Sequence, residues 1–340
     1  MATASPTRTI DAVAAEFTDQ PITDIIPITD GAINETHEVV LADGGRFILQ
    51  AMSPIFGHEI LNNLATIQPY VKAAGVLVPE CLPTLTGDWY VNGSPGRWFR
   101  ALSYIPGVTI HDHISAHGAA SAGRLVGQFH SALVECSEPI SDPIKHFHDT
   151  PYYMERLQTI SRQYESDPKH TELAPLVTEV LTRYHSQHDA AEQLPTRIIH
   201  GDLKASNFRF DEDMNAIALI DMDTLMHSTV KVELGDGLRS MCGTKGEDSA
   251  EQVFDRDVYD AALAGYTETA SAITPEEIAS IPHGIRMLTL ELTSRFLADA
   301  YEETYFAKSS KYPSLYEQNK TRAHNQLHFL NAFEASGLVE

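Results

Sequence analysis

The chain is poor in cysteine: only Cys81, Cys136 and Cys242 occur, widely separated and with no CxxC pair. That excludes a zinc ribbon and a dense disulfide framework, and it fits a reducing compartment. Basic residues are also scarce, with 24 Lys and Arg against 47 Asp and Glu, a formal net charge of −23. A nucleic-acid partner needs clustered Lys and Arg to displace counterions, and no such stripe is present. An anionic membrane surface is disfavoured on the same ground. No window approaches 18 consecutive apolar residues, so no membrane span is expected. The first residues lack the apolar run of a signal peptide, and a cytoplasmic location is expected. Internal repeats and low-complexity tracts are missing. So are a Walker A motif and a G-x-S-x-G elbow, which removes two large enzyme classes.

What remains is 43% hydrophobic and 21% charged residues, the profile of a folded globular protein. A chain of 340 residues exceeds one ordinary core, so two lobes are expected. Residues 20–105 read as β-rich. Segments 39–41 and 46–50 flank Ala42-Asp43-Gly44-Gly45, a hairpin turn. Apolar spacing predicts a helix over 59–74, and 89–91 and 98–104 read as further strands. A Pro106-Gly107 break ends the last of these. Beyond it the pattern turns helical, first over 115–133. Another helix starts at Thr274-Pro275-Glu276-Glu277, where Thr274 caps and Glu277 completes a capping box. A break is predicted near Pro282-His283-Gly284, with helix resuming to about 306. The expectation is an α+β fold with a β-rich N-lobe over 1–105 and a larger, mainly helical C-lobe over 106–340.

The densest chemistry lies at RIIHGDLKASNF (197–208), followed by AIALIDMDT (216–224). An apolar strand ends in His-Gly-Asp, and Asn207 follows Asp202 by five positions. Segments 208–210 and 216–220 read as two strands joined by a polar turn, which brings Asn207 and Asp221 to one open end. Phosphoryl transfer needs a carboxylate to orient the attacking hydroxyl and oxygen ligands to hold Mg²⁺ against the phosphates. Asp202 suits the first task. Asn207 and Asp221 suit the second, since Mg²⁺ takes a few hard oxygen ligands plus phosphate and water. His200 reads as a lock on the loop rather than a reactant.

These two strings resemble the aminoglycoside phosphotransferase and choline kinase superfamily, relatives of protein kinases. Within it the chain is most similar to the N-acetylhexosamine 1-kinases, through DGAINET (30–36), HFHDTP (146–151), ELGDGLR (233–239), RFLAD (295–299) and Tyr305-Phe306. The resemblance implies a bilobal protein-kinase-like fold with ATP in the cleft. It implies transfer of the γ-phosphate to the anomeric hydroxyl of an N-acetylhexosamine such as GlcNAc or GalNAc. By matching position, Asp202 is the catalytic base, and Asn207 and Asp221 are the metal ligands. Gly31, Asn34 and Thr36 belong to the phosphate-covering loop, and Ser103 and Ile105 to the connector that meets adenine. Arg295 and Tyr305 match a region of sugar recognition. The partner is then a small-molecule sugar, with the protein a monomer or weak dimer.

Two departures stand out. Protein kinases carry a third-strand Lys on the α- and β-phosphates, whereas here the strand reads Arg46-Phe47-Ile48-Leu49-Gln50. Alternation puts Arg46, Ile48 and Gln50 on one face, so Gln50, helped by Arg46, is expected at the nucleotide; the alternative is that both are plain strand residues. The second departure is Asp221-Met222-Asp223 in place of Asp-Phe-Gly. Asp223 is open to three roles: a second Mg²⁺, the substrate's hydroxyls, or a capping or ion-paired acid. Arg295 reads either as a solvated i,i+4 partner of Glu291 or as a group at the cleft. HFHDTP matches no zinc or EF-hand spacing, and Asp149-Thr150-Pro151 reads as a helix start. Two alternatives stay open: a kinase of the same superfamily for another sugar, choline or an aminoglycoside, and a nucleotide-binding pseudokinase without turnover.

Overall fold

The structure, a computed structural model, describes residues 8–29, 33–93, 97–111, 113–186, 194–243, 248–249 and 253–339. The chain opens with α1 (Ile10–Ala14), capped by Thr9, and then lays down β1 (Ile22–Ile28), β2 (Glu35–Leu41) and β3 (Arg46–Ala51). The β2–β3 hairpin turns over 42–45, where the sequence places it. Helix α2 (Glu59–Ala73) follows, then the short β4 (Cys81–Leu82) and β5 (Val91–Asn92), and β6 (Trp98–Ser103). The strand expected from residue 89 begins only at Val91, and Trp89 is exposed. The antiparallel sheet runs β1-β2-β3-β6-β4, with β5 also on β6. Its outer face packs on α1 through Val13, Phe17, Val39, Phe47, Leu49 and Phe99. Its other face carries Ile48, Gln50 and Arg100 toward the rest of the molecule.

The polypeptide leaves β6 and passes directly to the second region, where Val108 pairs with Phe210 through two backbone bonds of 2.9 and 2.8 Å. Helix α3 (Ala116–Ala132) has Ser115 as its cap. Helix α4 (Thr150–Gln163) starts at Asp149, whose carboxylate accepts from Tyr152 N, and α5 (His170–His185) follows. Next come β7 (Thr196–Ile199), a 3₁₀ turn at Ala205–Asn207, β8 (Phe208–Phe210) and β9 (Ala216–Leu219). A second 3₁₀ turn at Met222–Thr224 leads into β10 (Met226–Thr229), which pairs with β7. Helices α6 (Val230–Met241), α7 (Arg256–Thr269), α8 (Pro275–Glu302) and α9 (Leu315–Glu334) complete the fold. One large apolar core joins α2 to these helices and to the β8–β9 hairpin. No helix among the described residues is long and apolar enough to cross a membrane.

The predicted break in α8 does not occur. The helix runs unbroken from Pro275 to Glu302, through Pro282 and Gly284, and its Thr274 capping box is complete. Gly284 is there because α6 crosses closely: a Cβ on it would lie 2.0 Å from Lys231 O, and Gly235 faces it from α6. The small residue marks a helix crossing, where burial of the surrounding Ile281, Ile285 and Leu288 outweighs the local cost of Pro and Gly. The helix ends at Glu302, short of 306, where Glu303 takes a left-handed conformation. Buried Asp299 then accepts the backbone N–H groups of Thr304, Tyr305 and Phe306 at 2.7–3.0 Å and orders the turn that carries Tyr305.

Candidate active site

Strand β7 is buried at Ile198 and Ile199 and delivers His200, Gly201 and Asp202 at its end. Gly201 has φ +83°, and a Cβ on it would sit 2.5 Å from Thr224 O, so this turn requires glycine. His200 is fully buried; its Nδ1 accepts from Asp202 N (3.2 Å) and its Nε2 donates to Ile220 O (2.9 Å). The ring is thus the lock expected of it, tying the strand that ends in Asp202 to the strand that ends in Asp221. Ile220 N in turn donates to Asn207 O at 2.8 Å. Asp202, Asn207 and Asp221 are thereby brought together, as the motif predicts.

Asn207 Nδ2 donates to Asp202 O (2.8 Å) and Asp202 Oδ2 (3.0 Å), which commits the amide hydrogens inward and frees its carbonyl oxygen for a cation. Lys204 Nζ donates to the same Asp202 Oδ2 at 2.8 Å. Among the described residues every bond to the Asp202 carboxylate thus falls on Oδ2, leaving Oδ1 for an incoming hydroxyl; the side chain is 28% exposed. Asp221 sits exposed in a left-handed conformation with φ +63°. The protein packed around it, then the Asp223 and Asp202 carboxylates, push its pKa up to about 6, against the pull of Lys204. Desolvation is the larger part of that rise, and the neighbouring acids add to it. Among the described residues no cluster of three or more His, Cys, Asp or Glu could hold an ion alone. One amide oxygen and one carboxylate are a donor set that a hard divalent cation could take, with phosphate and water as its other ligands.

Beneath the loop, Glu233 on α6 is buried and accepts both His200 N and Gly201 N at 2.8 Å. Burial opposes its charge, but the His130 contact at 3.2 Å and its other donors hold it below the ordinary glutamate range. On the other side His148 Nε2 donates to Gly201 O (2.8 Å), and its Nδ1 stands 3.5 Å from Glu291 Oε1, an ion-pair distance. Burial works against the imidazolium, yet Glu291, Asp236 and the Gly201 carbonyl raise it to about 9. HFHDTP thus caps α4 and buttresses the loop. Lys204, Glu233 and His148 were given no individual role by sequence; Lys204 sits within the central motif, and His148 and Glu233 sit within the HFHDTP and ELGDGLR stretches that carry the resemblance.

On the sheet side, Gly31 lies outside the described residues. Asn34 donates to Asp223 Oδ2 (3.0 Å) and accepts from Ser53 N (2.9 Å), so this position clamps the loop onto the helical region. Thr36 Oγ1 accepts from Gln50 Nε2 at 3.3 Å. Gln50 Oε1 accepts from Arg100 Nε and Nη2 at 2.9 and 2.8 Å, and Arg100 forms a buried ion pair with Asp223 at 2.5 Å. Asp223 is therefore the ion-paired acid among its three readings, with each oxygen bonded to a side chain of the sheet region. Arg46 is turned away to Glu38 (2.9 Å) and the Tyr104 ring. Ser103 joins the connector to Glu80 through its N–H (2.8 Å) and its hydroxyl (2.9 Å), and Ile105 is buried.

Arg295 makes no solvated pair with Glu291, whose carboxylate is buried against Thr150 Oγ1 at 2.6 Å. Its guanidinium donates to Tyr305 OH (2.9 Å) and lies over the rings of Tyr153 and Tyr305 at 5.1 and 5.4 Å. One turn separates it from Glu291, which reaches the Gly201 turn through His148, so Arg295 on α8 and Tyr305 in the turn after it form a second cluster. Arg239 pairs with Asp236 at 2.9 Å.

Solved structures share this architecture at low identity. An aminoglycoside phosphotransferase from Alicyclobacillus acidocaldarius superposes with a TM-score of 0.64 at 14% identity, covering 98% of this chain and 97% of its own. Amicoumacin kinase, in complex with AMP-PNP, Ca²⁺ and Ami, gives 0.61 at 14% identity over 92% and 91%. A microcompartment-associated aminopropanol kinase gives 0.60 at 16% over 95% and 94%. Residues 24–270 match the model of the APH phosphotransferase enzyme family, and this chain belongs to that family.

Proposed function

We propose that the chain transfers the γ-phosphoryl group of ATP to the anomeric hydroxyl of an N-acetylhexosamine, GlcNAc or GalNAc, giving the sugar 1-phosphate. The observation that carries the kinase part is Asp202, whose Oδ2 accepts from Asn207 and Lys204 while its Oδ1 has no partner among the described residues. In this reading residues 1–105 cover the nucleotide and 106–340 carry the loop and the acceptor. Asp202 orients the acceptor O–H and takes its proton as the oxygen attacks phosphorus in line with the departing ADP. Asn207 and Asp221 hold Mg²⁺, which when bound offsets charge on the β- and γ-phosphates. Lys204, bonded to Oδ2, holds the Asp202 carboxylate in register.

The sugar part rests on the resemblance and on the Arg295 cluster. A guanidinium framed by Tyr153 and Tyr305 offers donors to hydroxyl or amide oxygens and flat faces to a sugar ring. It repels a cationic acceptor. The net charge of −23 favours the second reading, an amino alcohol such as choline or an aminoglycoside. Coupled ADP release with GlcNAc, GalNAc, choline and an aminoglycoside separates the two, with ³¹P NMR of the product to locate the phosphate. Turnover confined to the cationic acceptors refutes the sugar reading. No turnover with any alcohol, despite Mg·ATP binding, makes the protein a pseudokinase.

A further inference from the structure

In protein kinases the third-strand lysine on the phosphates is paired with a glutamate of the neighbouring helix. Here neither member stands in its place. Gln50 occupies the strand position, and Glu59, the acid of α2, accepts from Gly57 N at 3.2 Å at the start of its own helix. Directly across the ladder from Gln50, however, is Arg100 on β6. It is 2% exposed, and its partner is Asp223, two residues beyond Asp221 in the opposite wall.

A guanidinium is expensive to bury, and an apolar cross-strand pair would hold β3 to β6 at no such cost. The arrangement around it is directional. Gln50 Oε1 grips Nε and Nη2, and Asp223 Oδ1 takes Nη2 as well, so among the described residues all three bonds use the same edge of the fork. The hydrogens of Nη1 are left over. Gln50 also reaches Thr36, and Asp223 also reaches Asn34, so the bracket around Arg100 includes the strand and loop that cover the cleft.

We propose that Arg100 is the displaced counterpart of the third-strand lysine: the cation of the sheet wall that meets the nucleotide's phosphates. Gln50 orients its fork without competing for charge, and Asp223 holds it from the catalytic wall. The inference rests on the kinase reading above.

Calorimetric titration of adenosine, ADP and Mg·ATP into the wild type, Arg100→Met and Gln50→Lys/Arg100→Met tests it. Arg100→Met is expected to weaken Mg·ATP and ADP by about tenfold or more, equivalent to about 1.4 kcal/mol, and to leave adenosine within about twofold. The double variant, which returns a cation to β3, is expected to recover most of the Mg·ATP affinity. Equal weakening of all three ligands makes Arg100 a structural residue and overturns the proposal, as does unchanged Mg·ATP affinity. Thermal melting reports whether Arg100→Met folds. If it does not, the double variant decides alone: preference for Mg·ATP over adenosine as in the wild type supports the proposal, and loss of that preference overturns it. Wild-type protein that binds none of the three ligands refutes the kinase reading itself.

Discussion

On the helical wall of the cleft the catalytic loop is suspended from buried groups that bond to its backbone. Glu233 accepts two consecutive N–H groups, and His148 donates to the carbonyl of Gly201 between them and Asp202. On the sheet wall the corresponding ties run from side chain to side chain: Thr36 to Gln50, Gln50 to Arg100, Arg100 to Asp223, Asp223 to Asn34. Backbone bonds hold a main-chain shape whatever ligand is present. Side-chain bonds can exchange one partner for another when a phosphate arrives. The difference suits the two tasks proposed above, one wall positioning a base and the other receiving a polyanion.

The largest expected effect probes the helical wall at its chemical end. Asp202→Asn should lower turnover by about 10²–10⁴-fold while nucleotide binding persists, because proton acceptance is lost and the shape is kept. A coupled ADP-release assay beside calorimetry checks this; full activity in the variant would remove Asp202 from the chemistry. The next effect separates the walls by stability. Glu233→Ala strips the acceptor from two buried N–H groups and from His130, at a cost of about 3–5 kcal/mol in urea denaturation. Asp223→Asn keeps hydrogen-bonding oxygen beside Arg100 and should cost clearly less. The reverse order would mean that the sheet-side network, not the backbone suspension, carries the cleft.

The smallest effect concerns pH. His148 is raised to about 9 in the fold, so its stabilising charge is fully present below pH 6.5 and is lost as pH rises through about 9. The difference in melting temperature between wild type and His148→Gln should therefore shrink from pH 6.5 to 9.5. Parallel curves would show that the ring is neutral, and that Glu291 holds the loop without its help.

Much of this was legible locally. The turn over 42–45, the Thr274 capping box and the Asp149 helix start are governed by residues a few positions apart, and the structure agrees with each. The convergence of Asp202, Asn207 and Asp221 follows from one hairpin. Gly284 misled, because the same residue type serves a break and a close helix crossing, and only the position of α6 distinguishes them. Arg100 gave no signal at all. It lies in an ordinary strand, and its meaning depends on Asp223, which is 123 positions away.

By itself, then, the order of residues determined many of the elements and the hairpin that brings Asp202, Asn207 and Asp221 together, because short-range geometry and chemical type suffice for these. Only the tertiary structure decided which cation stands opposite them, which buried acid suspends the loop, and that Asp223 faces the sheet. Those are pairings between distant segments, and their energies arise only once the core has excluded water and brought the partners into contact.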